Sequence, residues 1–304
     1  MPLLLLGLAS LFVSPALALL AGIAYAIVFG NRFAHRTRLF AHRSLTWSVV
    51  GLGAGMNLAV VARVGLHGLG YTVVGIGLAL SLGTLLGRKI GVGKDVSLLV
   101  TVGTAICGGS AIAAVAPVVR AKEEDVSMAL VTIFLLNAVA LLVFPVVGHA
   151  LAMKQDAFGL WCALAIHDTS SVVGAASQYG TRALEVATAA KLARALWIVP
   201  VTFAISLARA RGGESTAAPK RPWFIAGFVG IAALVTFVPP LQSVGHLVAA
   251  GAHRLLSLTL FLIGLGMSRD ALRGLGVRPL VQAVALWLAL ATLTLLAITT
   301  GLIG

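Results

Sequence analysis

Few residues in this 304-residue chain have chemistry to offer, and most of those lie in apolar surroundings. The run His167-Asp168-Thr169-Ser170-Ser171 sets five polar side chains in a row inside an apolar stretch, with Gly174, Ser177 and Gln178 after it. Such groups are costly in a bilayer unless they face a cavity or one another, so they read as the wall of a site or as a hydrogen-bonded knot between helices. His167 and Asp168 are adjacent and diverge on a regular helix; they share a site only where the helix unwinds. A histidine is the natural carrier of a coupling proton, here with Asp168 beside it. Glu185, Lys191 and Arg194 follow in the next apolar stretch. Lys191 and Arg194 are three apart and share a helix face. Two cations near mid-span need counter-charge, from Asp168 and Glu185 as a salt bridge or from a bound anion.

A third segment is Thr104-Ala105-Ile106-Cys107-Gly108-Gly109-Ser110-Ala111, with Pro117 beyond it. Paired glycines weaken a helix in mid-membrane, and the Ser110 hydroxyl is at hand for freed backbone groups. A break there predicts a half-helix whose N–H groups near Gly109–Ala111 suit an anion. A close crossing of helices through small residues is the alternative. Asn57, Asn137, His149 and His246 read as interhelical glue or interfacial groups. No metal-ligand spacing, phosphate-cradling loop or paired nucleophile is present, so neither a cofactor nor an enzymatic activity is expected.

Composition dictates the elements that must hold these groups. Sixty per cent of residues are hydrophobic and 10% are charged, where a soluble domain carries about 25%. The chain therefore reads as a single polytopic membrane domain over 1–304, its main partner the lipid bilayer. A net charge of +13 suggests nucleic acid, but the basic residues sit in short runs between apolar stretches, where the positive-inside bias puts them. Cys107 and Cys162 cannot build a disulfide framework. The first residues lack a basic n-region and are expected to join the first span rather than form a cleaved signal.

A span takes roughly 20 apolar residues. That rule predicts an all-α membrane protein with ten transmembrane helices near 3–30, 45–62, 66–87, 96–119, 126–150, 157–180, 183–208, 222–242, 247–268 and 279–303. Residues 3–13 are a candidate separate element ahead of Pro15. Fifteen Lys and Arg fall in the odd loops: Arg32, Arg36, Arg38, Arg43, Arg88, Lys89, Lys94, Lys154, Arg209, Arg211, Lys220, Arg221, Arg269, Arg273 and Arg278. Five fall in the even loops, namely Arg63, Arg120, Lys122, Arg182 and Arg254. The bias places the odd loops, including the Arg209–Pro222 linker, in the cytoplasm and both termini outside.

Ten spans divide into halves 1–150 and 151–304, inverted because each holds an odd number. Two local echoes bear on this. Gly53, Gly55, Met56 and Gly65 match Gly264, Gly266, Met267 and Gly276 at an offset of 211, and Ala105–Ser110 matches Ala165–Ser170 at an offset of 60. Neither offset fits a simple five-plus-five pairing, in which the fourth span should match the ninth.

Cys107-Gly108-Gly109-Ser110-Ala111 with Pro117-Val118-Val119-Arg120-Ala121, then His167-Asp168, then Lys191-Leu192-Ala193-Arg194 with Pro200, resemble the YeiH-type family of bacterial inner membranes, whose label is sulfate exporter. Gly264-Leu265-Gly266-Met267-Ser268 and Arg278-Pro279-Leu280 fit the same pattern. The likeness runs from about Ile27 to the C-terminus; the N-terminus is shorter than the family's, and Asp168 stands where the family often has Glu. The resemblance implies a grouping with the cation–proton antiporters and bile-acid symporters. That group has two inverted five-helix repeats, a panel domain, and a mobile core of crossed, broken helices moving as an elevator.

The expected function is a secondary transporter of a small anion, sulfate or an organic sulfonate, coupled to a proton or Na⁺ gradient by alternating access. Cys107, Gly108, Gly109, Ser110, Thr169, Ser170, Lys191 and Arg194 would bind substrate, with His167 and Asp168 carrying the coupling proton. The alternative is a cation–proton antiporter using Asp168 with Lys191 as counter-charge. The expected location is the bacterial inner membrane, with a homodimer open as an assembly.

Overall fold

The computed structural model describes residues 2–31, 33–56, 58, 68–211, 223–269 and 273–303. Asn57, Arg63, Gly65 and most of the 209–222 linker lie outside them. Among the described residues the protein is helical throughout, without strands. The N-terminal segment is two helices, α1 (Pro2–Ser10) and α2 (Pro15–Phe29), as the separate-element reading expected. Ser14 caps α2 by accepting the Leu17 N–H, and Pro15 takes the first helical position, where its missing N–H costs nothing. After α3 (Ala34–Leu52) comes α4 (Leu69–Ile90), which ends on Gly91 in the left-handed region, with Arg88 and Lys89 complementing its last turn.

The predicted 96–119 span is two helices, α5 (Lys94–Ala105) and α6 (Gly109–Val115). A long α7 (Glu123–Ala150) follows, opening on an acidic first turn. The predicted 157–180 span is likewise α8 (Gln155–Ala165) and α9 (Thr169–Tyr179). Then come α10 (Thr181–Ala195), α11 (Ile198–Arg211), α12 (Trp223–Phe237), α13 (Gln242–Leu265) and α14 (Val277–Thr299). Among the described residues five stretches are long and apolar enough to cross a membrane: within α4, α7, α13 and α14, and through α10 into α11 over Thr181–Ala208. Helices α2 and α12 are shorter apolar ones.

The helices form two groups. In the first, α13 packs along α2 and α3, and α12 lies against α3. Gly22 and Gly264 bring α2 and α13 backbone to backbone, since a Cβ on either would strike the other helix's carbonyl. The second group holds α4 through α11 together with α14. Contacts of α9 with α2 and α13, and of α2 with α7, join the two.

Neither broken pair is a rod with a kink. Tyr179, the last residue of α9, donates its hydroxyl to the Met153 carbonyl at 2.7 Å, and its ring stacks on Phe158 in the first turn of α8 at 3.7 Å. Gln155 Oε1, at the start of α8, accepts the N–H groups of Arg182 and Ala183. The far ends of α8 and α9 are therefore side by side. A straight run from Met153 to Tyr179 would separate them by roughly 39 Å at 1.5 Å per residue. In the other pair, Ile112 of α6 lies against Gly103 of α5, although nine residues of helix would set them about 13 Å apart. We refer to α5–α6 as hairpin 1 and α8–α9 as hairpin 2.

Candidate functional site

The two hairpin tips meet. At the first, Ile106-Cys107-Gly108 leaves the helical path, with Gly108 at φ 64° and ψ −127°. Only glycine adopts that conformation without strain. A Cβ there would also press on Asp168 of the other tip. This is the break expected between Cys107 and Ser110. At the second tip, Ile166 and Asp168 are extended. Unwinding of this kind is what His167 and Asp168 needed in order to share a site.

Three side chains secure the tips. Lys191 of α10 is fully buried and donates to the Ile106 carbonyl at 3.0 Å, to Ile166 at 2.7 Å and to Ala163 at 3.5 Å. Arg194, one turn on, donates Nε to the Ala105 carbonyl at 2.9 Å and Nη1 to Leu164 at 2.6 Å. Each cation thus spans both hairpins and sits on the C-terminal carbonyls of α5 and α8, the negative ends of those helices. Asn137 of α7 serves the opposite polarity, its Oδ1 accepting the N–H groups of His167 at 3.1 Å and Asp168 at 3.4 Å. Asp168 caps α9: its carboxylate accepts the Ser171 N–H at 3.1 Å and the Ser170 hydroxyl.

Of the two sources of counter-charge open to Lys191 and Arg194, a salt bridge to Asp168 or Glu185 is not formed among the described residues. Arg182 pairs instead with Asp156 and with Glu185, at the open end of hairpin 2. Glu185 points to that end because it lies nearly two turns before Lys191. Carbonyls alone can hold the cations. Four close charge-assisted bonds at about 1.5 kcal/mol each offset an insertion cost of about 3 kcal/mol per cation.

Among the described residues Asp168 is the one buried acid. With Lys191 and Arg194 the centre holds two positive groups against one negative. Polar atoms without a protein partner surround it: both ring nitrogens of His167, Asn137 Nδ2, Thr104 Oγ1 and Trp287 Nε1. The Trp287 indole stands edge-on to the His167 ring, 6.5 Å between centroids. Cys107, Gly108, Thr169 and Ser170 are buried at the tips, and Gly109 and Ser110 are half-buried.

The structure thus gathers the residues of both tips with Lys191 and Arg194, and leaves Glu185 apart from them. It also redirects some. Lys191 and Arg194 spend hydrogens on backbone, and the N-terminus of α9 already carries a carboxylate. Asn137 ties helices together as expected and does so at the centre itself, while Trp287 was not foreseen. A lone asparagine in the middle of a 28-residue apolar helix was the available signal for the first; nothing marked the tryptophan. Arg254, counted with a loop, lies within α13 with its guanidinium 5.4 Å from the Phe12 ring centroid. Cys107 and Cys162 are free, buried thiols.

Apolar helices of spanning length around a buried polar centre of broken helices define a polytopic helical membrane protein. The family model described as conserved hypothetical protein 698 matches residues 5–283. A UPF0324 membrane protein of Bdellovibrio bacteriovorus is 56% identical over 95% of this chain and 90% of its own length. Those of Geobacter sulfurreducens and Porphyromonas gingivalis are 47% and 46% identical, over 94% and 91% of the chain and 91% and 84% of their own lengths. The chain belongs to the UPF0324 membrane protein family, which is the same family as the YeiH-type proteins. No solved structure matches it.

Proposed function

We propose that the protein is a secondary transporter of a small anion, with sulfate or an organic sulfonate as the candidate class, working by alternating access. The observation that carries this reading is the charge at the meeting tips. Buried Lys191 and Arg194 hold the tips where, among the described residues, Asp168 is the one buried carboxylate, and a surplus positive charge in such a place attracts an anion. In this reading the cations act through their field while their hydrogens hold the tips. Cys107, Gly108, Gly109, Ser110, Thr169 and Ser170 form the walls, and His167 with Asp168 carries the coupling proton. The helix group around α13 serves as the panel and the group holding both hairpins as the moving core, in two inverted repeats. Basic loops face the cytoplasm of a bacterial inner membrane, the termini lie outside, and two copies pair. No catalytic role is assigned.

Purified protein in liposomes decides it. Uptake of labelled sulfate, methanesulfonate or chloride, measured with imposed proton and Na⁺ gradients, should show one anion accumulating against its gradient. Absence of flux for every anion, in protein shown to be folded, would defeat the proposal.

One observation favours a second reading, cation–proton antiport at Asp168. Among the described residues that buried carboxylate has a hydroxyl and an N–H as its partners and no basic side chain within 4.0 Å. Cation-driven proton release without anion uptake, lost in Asp168→Asn, would select it.

A further inference from the structure

We infer that the polar centre is closed by two re-entrant hairpins that dip into the bilayer from opposite faces, so that neither 96–119 nor 157–180 crosses the membrane. Arm length is the first argument. Helices of 11 and 12 residues reach about 16–18 Å, half of a hydrocarbon core of about 30 Å. Such an arm ends at the bilayer centre, and only the position of the next arm tells a hairpin from a span.

In hairpin 2 the next arm comes back. Tyr179 returns to Met153, and Gln155 bonds the first residues of α10. Hairpin 1 returns by a longer chain of contacts. Arg278 bonds the Gly91 carbonyl beside the start of α5, and Gly276, two residues before it, touches Met128 near the start of α7. The start of α7 and the start of α5 are therefore at one level, and α6 with the turns that follow it over 116–120 has carried the chain back. Between the hairpins runs α7, whose 28 residues extend about 42 Å, a full crossing. The hairpins enter from opposite sides.

The two sequence echoes then fall into place. The offset of 60 pairs the tips, Ala105–Ser110 with Ala165–Ser170. The offset of 211 pairs the end of α3 with the end of α13, and these helices are antiparallel: Gly51 meets Ala252 and Val248, while Asn31 bonds the Leu265 carbonyl. Helices α4 and α14 are antiparallel too, with Gln282 on the Gly83 carbonyl and Arg278 on Gly91. One unit runs α2, α3, α4, hairpin 1, α7. Its inverted partner has the same parts in rotated order: hairpin 2, α10–α11, α12, α13, α14. That rotation is why span four echoes span six.

Charge agrees. With hairpins in place of spans, Arg120 and Lys122 join the face of Lys94 while Lys154 leaves it, so 15 against 5 becomes 16 against 4. Each hairpin is then the wall between the centre and its own face of the membrane, whatever is carried.

Single cysteines at Lys94, Lys122, Lys154 and Thr181 test this with a membrane-impermeant maleimide on intact cells and on inverted vesicles; the buried native thiols serve as the unreactive background. Lys94→Cys and Lys122→Cys should label from one side, and Lys154→Cys and Thr181→Cys from the other. Labelling of the first two from opposite faces would overturn hairpin 1. Opposite faces for the second two would overturn hairpin 2. A paired Met153→Cys, Tyr179→Cys variant should oxidise to an intramolecular disulfide, and its failure to cross-link in folded protein would also count against hairpin 2.

Discussion

At the residue scale the centre separates side chains that hold the tips from one that gives them charge. Arg194→Ala strips a partner from the carbonyls of Ala105 and Leu164 together. Each buried carbonyl left unpaired costs about 1–3 kcal/mol. The detergent-solubilised variant should therefore melt well below the parent, and Arg194→Lys should recover only part, because a shorter side chain without the planar guanidinium fork does not match the Ala105 and Leu164 carbonyls together. Asp168→Asn is predicted to behave differently. Asparagine caps a helix about as well as aspartate, so the melting temperature should hardly move while coupled flux is lost. A large loss of stability in Asp168→Asn would show that the carboxylate charge, not the cap, keeps the tip in place. A double variant, Arg194→Ala with Asp168→Asn, should stay as unstable as Arg194→Ala alone, since the two are not partners. Recovery of stability would mean a bridge that the geometry does not form.

At the element scale the decisive features are the two breaks, and they differ in how far the residues announced them. Gly108-Gly109 in mid-span and the polar run from His167 to Ser171 marked both positions, and the helices do end there. What no hydropathy window reports is the direction taken afterwards. An apolar stretch of 24 residues has the same profile as a rod or as a hairpin, and only contacts such as Tyr179 with Met153 tell them apart. The anchors of Lys191 were hidden for a related reason: its acceptors are backbone carbonyls of Ile106 and Ile166, which leave no mark in residue type. Acidic partners were the visible candidates, and they were the wrong ones. The break at Gly108 gives a sharp test. Gly108→Ala would force an L-residue to φ 64° with its methyl against Asp168, at a cost above about 1 kcal/mol. Melting temperature and Cys107 reactivity should both report the opened tip. Gly109→Ala, at a position of ordinary helical φ, should be milder by the same measurements, although its methyl meets the Phe134 ring.

At the scale of the whole molecule, two helix groups meet over a narrow seam. Gly174 of α9 lies against Leu260 of α13 and near Pro15 of α2. If transport moves one group past the other, that seam must slide. A cystine joining Gly174→Cys to Leu260→Cys should abolish flux, and a reducing agent should restore it. Flux that is indifferent to the cross-link would confine any motion to the hairpins. A firmer union inside the core contrasts with this. Gln282 of α14 directs its amide at the Gly83 carbonyl, Ser97 and Thr101, pinning α4, α5 and α14 together. Gln282→Leu should therefore lower stability without changing the substrate that is carried.

The two-footed grip of Lys191 and Arg194 also has a consequence for how the chain is made. The Ile106 carbonyl waits for a partner 85 residues downstream. At 5–20 residues per second that is about 4–17 s of synthesis during which the first tip has no partner from α10. Bare carbonyls in lipid cost several kcal/mol each, so the nascent hairpin has to shelter in the insertion machinery until α10 emerges. A chain stopped after Tyr179 should be degraded by membrane quality control, and one extended to Arg211 should persist.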